Sequence, residues 1–301
     1  MNNNMQAKRI PPNGTIGLFS PCHVADPARY GATIAGIKRM GFDVKELGDH
    51  FYKDTWGYAA SAQERADDFN ALVTDDSVHA ILFNGGHSAA EILPYIDYDN
   101  LRRHPKRIGS YSDGTSILNA IYAHTGLVVY YGTAPRVFAD LRHYDYQQFC
   151  GHFVEGHRAD HFTPNSERVT LHGGTCEGTL LGGYTTLFTL MLSSKYMHYN
   201  EDAYILFLES HEKYGTIGLT AEELAFLEQT PLMPKVKGLV FGHYSVETPH
   251  HLLRCLERFG QRHDIPVIYT DDFGHGTRHG ILPIGLRAKL DAHAQSVAFG
   301  A

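Results

Sequence analysis

The chain has 301 residues, 43% of them apolar and 20% charged, which is ordinary globular composition and enough length for one or two buried cores. A formal net charge of −7 leaves no electrostatic case for a nucleic-acid or anionic-membrane partner. The first residues carry no apolar leader segment and no later apolar run approaches the roughly 18 to 20 residues of a membrane span, so a soluble, cytoplasmic protein is expected.

In chain order, Ile16-Gly17-Leu18-Phe19 makes a short apolar strand within Thr15–Pro21, and Tyr30, Ile34, Ile37 and Met40 keep helical spacing over Ala28–Met40. A strand at Phe42–Leu47 follows, and Ser61-Ala62-Gln63-Glu64 reads as a capping box opening a helix to about Val73. Next come a strand His79–Phe83, a helix after Gly85-Gly86, a strand containing Ile108, a helix from Ser116, and a strand Leu127–Tyr131. Strands alternating with helices of this length imply a parallel sheet covered on both faces, with ligands at the carboxyl ends of its strands.

Between Arg136 and Asn165 the pattern loosens into an aromatic, His-rich stretch, read as a connector with one helix whose rings from Tyr144 to Phe162 either roof a cleft or pack that helix onto the domain. A second α/β unit then runs through Arg168–Leu171, the glycine-rich Gly178-Thr179-Leu180-Leu181-Gly182-Gly183, a strand Tyr204–Leu208 and a helix Thr220–Leu227. It continues with a strand Gly238–Phe241, a helix Pro249–Phe259, a strand Pro266–Tyr269, then Leu282-Pro283-Ile284-Gly285 and a strand Ala288–Leu290. Gly182-Gly183 lacks the Lys-Ser/Thr of a phosphate loop, so a close helix–sheet contact is its expected purpose.

Three side chains carry candidate chemistry. Ser112, in Gly109-Ser110-Tyr111-Ser112-Asp113-Gly114-Thr115, stands at a strand-to-helix turn, which would hold its hydroxyl out of the sheet in front of a helix N-terminus. A plain turn or N-cap serine has the same local pattern. Glu209 ends an apolar strand, where a carboxylate is costly unless it has a partner, and His275 is accessible between Gly274 and Gly276. A serine needs a base and the base a carboxylate, and these three supply that set. Ser88, after Gly86-His87, is the rival serine, with a helix N-cap as its plainer role.

Metal chemistry is the alternative raised by 20 histidines, since His275 and His279 lie beside Asp271 and Asp272. Glycines at 274, 276 and 280 argue against the helix that would align those ligands. Cys22, Cys150, Cys176 and Cys255 have neither zinc-knuckle nor disulfide-framework spacing and read as small buried hydrophobes. A non-catalytic binding domain of the same fold is a further alternative.

Ser112-Asp113-Gly114-Thr115, Leu208-Glu209, Phe273-Gly274-His275 and Leu282-Pro283-Ile284-Gly285 together resemble the LD-carboxypeptidases, cytoplasmic serine peptidases with a Ser-Glu-His triad. Gly14-Thr15-Ile16-Gly17, Ala60 to Ala66, Gly85-Gly86 and Gly178 to Gly183 extend the resemblance over nearly the whole chain. The resemblance implies Ser112 as nucleophile, Glu209 as orienting carboxylate, His275 as general base, and the backbone N–H groups of Gly86 and Asp113 as oxyanion hole. It also implies an α/β fold with an N-terminal Rossmann-like parallel-sheet domain and a C-terminal β-rich swivelling β/β/α domain. Their bounds are set at residues 1–165, with 136–165 as connector, and 166–301. No metal or organic cofactor and a homodimer are expected. Two departures stand out: Ser110 where the family usually has Gly, and Tyr184 after Gly182-Gly183 where it commonly has Asn. Leu93 to Asp99 and Leu127 to Gly132 look more like the microcin C immunity protein branch, which cleaves an aminoacyl or peptidyl amide of a nucleotide-like moiety, than the murein-recycling branch, which removes D-Ala from tetrapeptides.

Overall fold

A computed structural model describes residues 4–22, 27–48, 57–154, 160–247 and 250–300. The chain divides into two compact units, Met1–Arg158 and Ala159–Ala301.

The first unit is built from β1 (Thr15–Leu18), α1 (Pro27–Arg39), β2 (Asp43–Glu46), α2 (Ala62–Thr74), β3 (Val78–Leu82), α3 (Tyr98–Arg103), β4 (Arg107–Ser110), α4 (Gly114–Thr125), β5 (Val129–Tyr131), α5 (Val137–Asp140) and α6 (His143–Phe153). Its strands pair in the order β5-β4-β3-β1-β2, every pair parallel. This is the doubly wound arrangement, in which ligands gather at the carboxyl ends of the strands. The capping box forms as expected: the Ser61 hydroxyl accepts from the Glu64 N–H and the Glu64 carboxylate accepts from the Ser61 N–H, satisfying two donors at the start of α2. The helix expected after Gly85-Gly86 is a 3₁₀ turn, Ala89–Tyr95, because Pro94 cannot extend a regular helix.

Two rings of the aromatic connector take the packing role. Phe149 and Phe153 stack at 4.9 Å, and Phe149 meets Phe138 edge-on at 4.9 Å and Phe42 at 6.0 Å. Phe149 and Phe153 of α6 and Phe138 of α5 are buried in the first unit's own core, so these rings serve packing. Phe162 instead packs in the second unit, 6.0 Å from Phe273.

The second unit comprises β6 (Arg168–His172), β7 (Thr175–Tyr184), α7 (Thr185–Met191), β8 (Tyr204–Glu209), α8 (Ile217–Glu228), β9 (Val236–His243), α9 (His250–His263), β10 (Val267–Gly274), β11 (Leu282–Ile284), β12 (Arg287–Asp291) and β13 (Ser296–Phe299). Pro249, the expected first residue of α9, lies outside the described residues. The sheet order is β13-β12-β7-β8-β9-β10-β6, with β7 to β10 parallel and antiparallel strands at the edges. The double glycine is explained by a strand rather than a helix: a Cβ on Gly182 would stand 1.8 Å from the Phe207 carbonyl oxygen of neighbouring β8. The four cysteines are free thiols, Cys22 and Cys150 buried and the other two half-buried.

Candidate active site

In the first unit, Ser112 occupies the turn between β4 and α4 with φ at 57°, the left-handed region that costs a side-chain-bearing residue about 1–2 kcal/mol. The turn is held from several directions. The Ser112 N–H donates to the Tyr131 hydroxyl at 3.1 Å, its carbonyl accepts from the Thr115 hydroxyl at 2.6 Å, and the Gly114 N–H reaches the Tyr111 carbonyl at 3.1 Å. From Gly114 to Tyr122 every residue of α4 is buried, which anchors the helix behind the serine.

Asp113 heads α4 without a side-chain cap. Its buried carboxylate accepts the Ala89 N–H at 2.8 Å instead, tying the serine turn to the segment after β3. Burial raises its pKa, and the Ala89 bond opposes that only in part. Gly85 brings the same two segments together: a Cβ there would stand 2.7 Å from the Tyr111 carbonyl oxygen, 2.8 Å from the Ser112 Cβ and 2.9 Å from the Asp113 nitrogen. Gly86, the expected oxyanion-hole residue, follows it and is half-buried.

The other serines have different surroundings. Ser110 is fully buried and its hydroxyl donates to the Phe83 carbonyl at 2.8 Å, so this departure from the family pattern is a lock between the ends of β3 and β4. Ser88 also has a positive φ, but its Oγ accepts from the Tyr58 hydroxyl at 2.9 Å and makes no helix cap, so the N-cap expectation does not hold.

In the second unit, Glu209 is the last residue of β8, wholly inaccessible, with Oε2 2.9 Å from the Nδ1 of His275. β10 runs on to Gly274, beyond the expected end at Tyr269, so His275 follows the strand directly. Asp is normally depleted in strands, but Asp271 and Asp272 each find a partner in His243 and Arg168. Glycines let the backbone close on the carboxylate: a Cβ on Gly242 would be 2.9 Å from the Glu209 Cβ, and one on Gly274, at φ 109°, 3.1 Å from its Oε2. The Thr185 hydroxyl donates to the Glu209 carbonyl at 2.8 Å, fixing the strand end. With Nδ1 on the carboxylate, Nε2 lies on the far side of the ring.

Aromatic and imidazole rings surround the pair. Tyr184 lies 5.2 Å, Tyr214 5.6 Å and His211 6.0 Å from the His275 ring, each edge-on. The departure Tyr184 is thus a wall of the His275 pocket. His211 and His243 were not singled out by sequence, although His243 could have been found as the residue two places beyond the expected strand end Phe241. The zinc alternative does not fit: Asp272 lies 3.4 Å from the Arg168 guanidinium, Asp271 pairs with His243, and His275 with Glu209. Among the described residues no three His, Cys, Asp or Glu side chains converge as a metal centre.

The chain is thus a two-unit α/β protein with a strained serine at a strand–helix turn in one unit and a buried Glu–His pair at the carboxyl edge of a sheet in the other. Residues 16–132 match the LD-carboxypeptidase N-terminal domain and residues 177–290 the LD-carboxypeptidase C-terminal domain. The chain belongs to the LD-carboxypeptidase family. It is 26% identical to the microcin C7 self-immunity protein MccF of Escherichia coli over 94% of this chain and 92% of that one. Among solved structures, a MccF-like protein from Bacillus anthracis superposes with a TM-score of 0.89 at 25% identity, covering 98% of this chain and 99% of the other. MccF in complex with aspartyl sulfamoyl adenosine gives 0.85 at 23% identity over 98% of both chains. The muramoyltetrapeptide carboxypeptidase of Oxalobacter formigenes gives 0.79 at 23%, covering 95% and 97%. Among the described residues no helix is long and apolar enough to cross a membrane.

Proposed function

We propose that the protein is a serine-type carboxypeptidase or amidase in which Ser112, Glu209 and His275 act as one triad. The observation that carries this reading is the 2.9 Å contact between a wholly buried Glu209 and Nδ1 of His275, an arrangement that fixes a tautomer and stabilises an imidazolium. In the proposed reaction the Ser112 oxygen bonds to the amide carbonyl carbon while His275 Nε2 takes the hydroxyl proton. The backbone N–H groups of Asp113 and Gly86 receive the negative charge on the carbonyl oxygen. Collapse breaks the C–N bond, His275 returns the proton to the leaving amine, and water, deprotonated by the same histidine, hydrolyses the acyl-enzyme.

The proposed substrate is a small peptide-like or aminoacyl-nucleotide-like amide with an anionic group on its leaving side. Relatives with both chemistries support the class: a microcin self-immunity protein in complex with aspartyl sulfamoyl adenosine, and a muramoyltetrapeptide carboxypeptidase. The test is turnover of a tetrapeptide ending in D-Ala beside an aminoacyl-sulfamoyl-adenosine, with Ser112→Ala and Ser88→Ala as variants. Ser112→Ala should lose about 10⁴- to 10⁶-fold in kcat while Ser88→Ala keeps activity within an order of magnitude. The reverse pattern would move the nucleophile to Ser88, and hydrolysis of neither substrate would favour the non-catalytic reading.

A further inference from the structure

The second unit holds a second carboxylate-backed imidazole that the proposed chemistry does not use. His243 ends β9, is the register partner of Gly274 on β10, and so stands at the sheet edge that carries Glu209 and His275. Its Nδ1 lies 2.8 Å from the Asp271 Oδ1, and among the described residues the ring hydrogen-bonds to Asp271 alone. Asp271 is itself fixed, its Oδ1 accepting the Tyr269 hydroxyl at 2.9 Å and its backbone N–H donating to the Ser166 hydroxyl at 3.2 Å. Gly276 packs on the other side, where a Cβ would stand 2.8 Å from the His243 Cγ. A ring held this way points one nitrogen at a carboxylate and leaves Nε2 on its far side.

Three imidazoles share this edge, with the His211 ring 6.0 Å from both His243 and His275. They are not equivalent. His211 Nδ1 accepts the Lys213 N–H at 3.1 Å, which keeps the neutral ring protonated on Nε2, and burial followed by the His275 and His243 charges lowers its pKa. His275 is taken up by Glu209 and the proton transfers proposed above. His243 remains as a carboxylate-held ring with no part in the proposed proton transfers. The other charged groups acting on this pair are Arg278 near Asp271, and Glu212 and Lys213 near His211.

We propose that His243, oriented by Asp271, is the anion-recognition residue of the site: in its imidazolium form Nε2–H binds an acid oxygen, carboxylate or phosphate, on the leaving side of the substrate. This rests on the proposed amidase reading and deepens it. Asp271 is a positioning residue, which supplies the counter-charge while Arg278 limits how acidic the edge becomes.

The experiment measures Kd by calorimetry on Ser112→Ala protein, which lacks the proposed nucleophile. Two ligand pairs differ only in the anion: a tetrapeptide ending in D-Ala against its C-terminal amide, and adenosine monophosphate against adenosine. Preference for the acid member of at least one pair should be about tenfold, a difference of roughly 1.4 kcal/mol. Which pair shows it separates the carboxylate from the phosphate source. Adding His243→Gln should abolish the preference, His243→Lys should retain it, and Asp271→Asn should weaken it in the His243 protein but not in the His243→Lys protein, because Asp271 acts through the imidazole. A preference that survives His243→Gln, or no preference in either pair, overturns the proposal. Turnover by the Ser112 protein is measured separately, so loss of the amidase reading and loss of this one are distinct results.

Discussion

Replacing Glu209 by glutamine keeps the volume of the side chain and removes its charge. Glu209 is inaccessible and the His275 side chain only 10% exposed, so water screens their 2.9 Å contact poorly. A charge-assisted hydrogen bond of this kind contributes about 1.5–3 kcal/mol, and breaking a buried pair costs about 3–5 kcal/mol. At about 1.4 kcal/mol per factor of ten, the transition state, where His275 is imidazolium, should rise enough to lower kcat/KM by about 10² to 10⁴. The upper figure applies if the carboxamide N–H faces the ring, since Nδ1 must then accept, Nε2 holds the proton, and the ring cannot act as a base. The folded state should lose less than this, because a neutral amide is easier to bury than a carboxylate and offsets part of the lost pair. Steady-state kinetics on the better of the two substrates and thermal unfolding by circular dichroism read both quantities on one protein sample. Combining Glu209→Gln with His275→Ala should cost little more than His275→Ala alone, as groups acting as a unit are non-additive. Retention of more than about a third of wild-type kcat/KM, with the protein folded, would refute the assigned role, and fully additive losses would mean that Glu209 acts on something other than His275.

Two further outcomes test other parts of the structure. Gly85→Ala pushes a methyl into the Tyr111 carbonyl and the Asp113 nitrogen, so it should cost about 1–3 kcal/mol of stability and at least tenfold in kcat; unchanged kinetics would show that the Ser112 turn absorbs the methyl. Glu223 is buried on α8, and burial raises its pKa above 4.5, with the Thr186 hydroxyl opposing in part. The folded state then holds this proton more tightly than the unfolded one, and stability falls as pH rises from about 4.5 through the folded-state value. Glu223→Gln should therefore match wild type in acid and exceed it by on the order of 1 kcal/mol at about pH 8 in urea unfolding, whereas equal stability at both would mean that the carboxylate is compensated.

The sequence by itself determined what depends on neighbours along the chain. Apolar periodicity and glycine punctuation yield the alternating strands and helices of the first unit. Ser61 and Glu64, three residues apart, are close enough to cap α2 whatever the rest of the chain does. A serine between an apolar strand and a helical run is likewise a local fact, as is a glutamate closing a run of five buried apolar residues.

Tertiary structure alone decided the pairings. Glu209 and His275 are 66 residues apart and meet because β8, β9 and β10 are parallel neighbours, each ending at the same edge. The same stacking brings His243 to Asp271, 28 residues away, and lets β10 continue through two aspartates that local propensity would exclude from a strand. Burial also decided that Phe149 and Phe153 of α6 face a core, which the sequence left open, and made Ser110 a lock on the Phe83 carbonyl. These outcomes are fixed by strand order and by which face of a helix is covered. Both arise from contacts between segments distant in sequence, and no local pattern of residues encodes them.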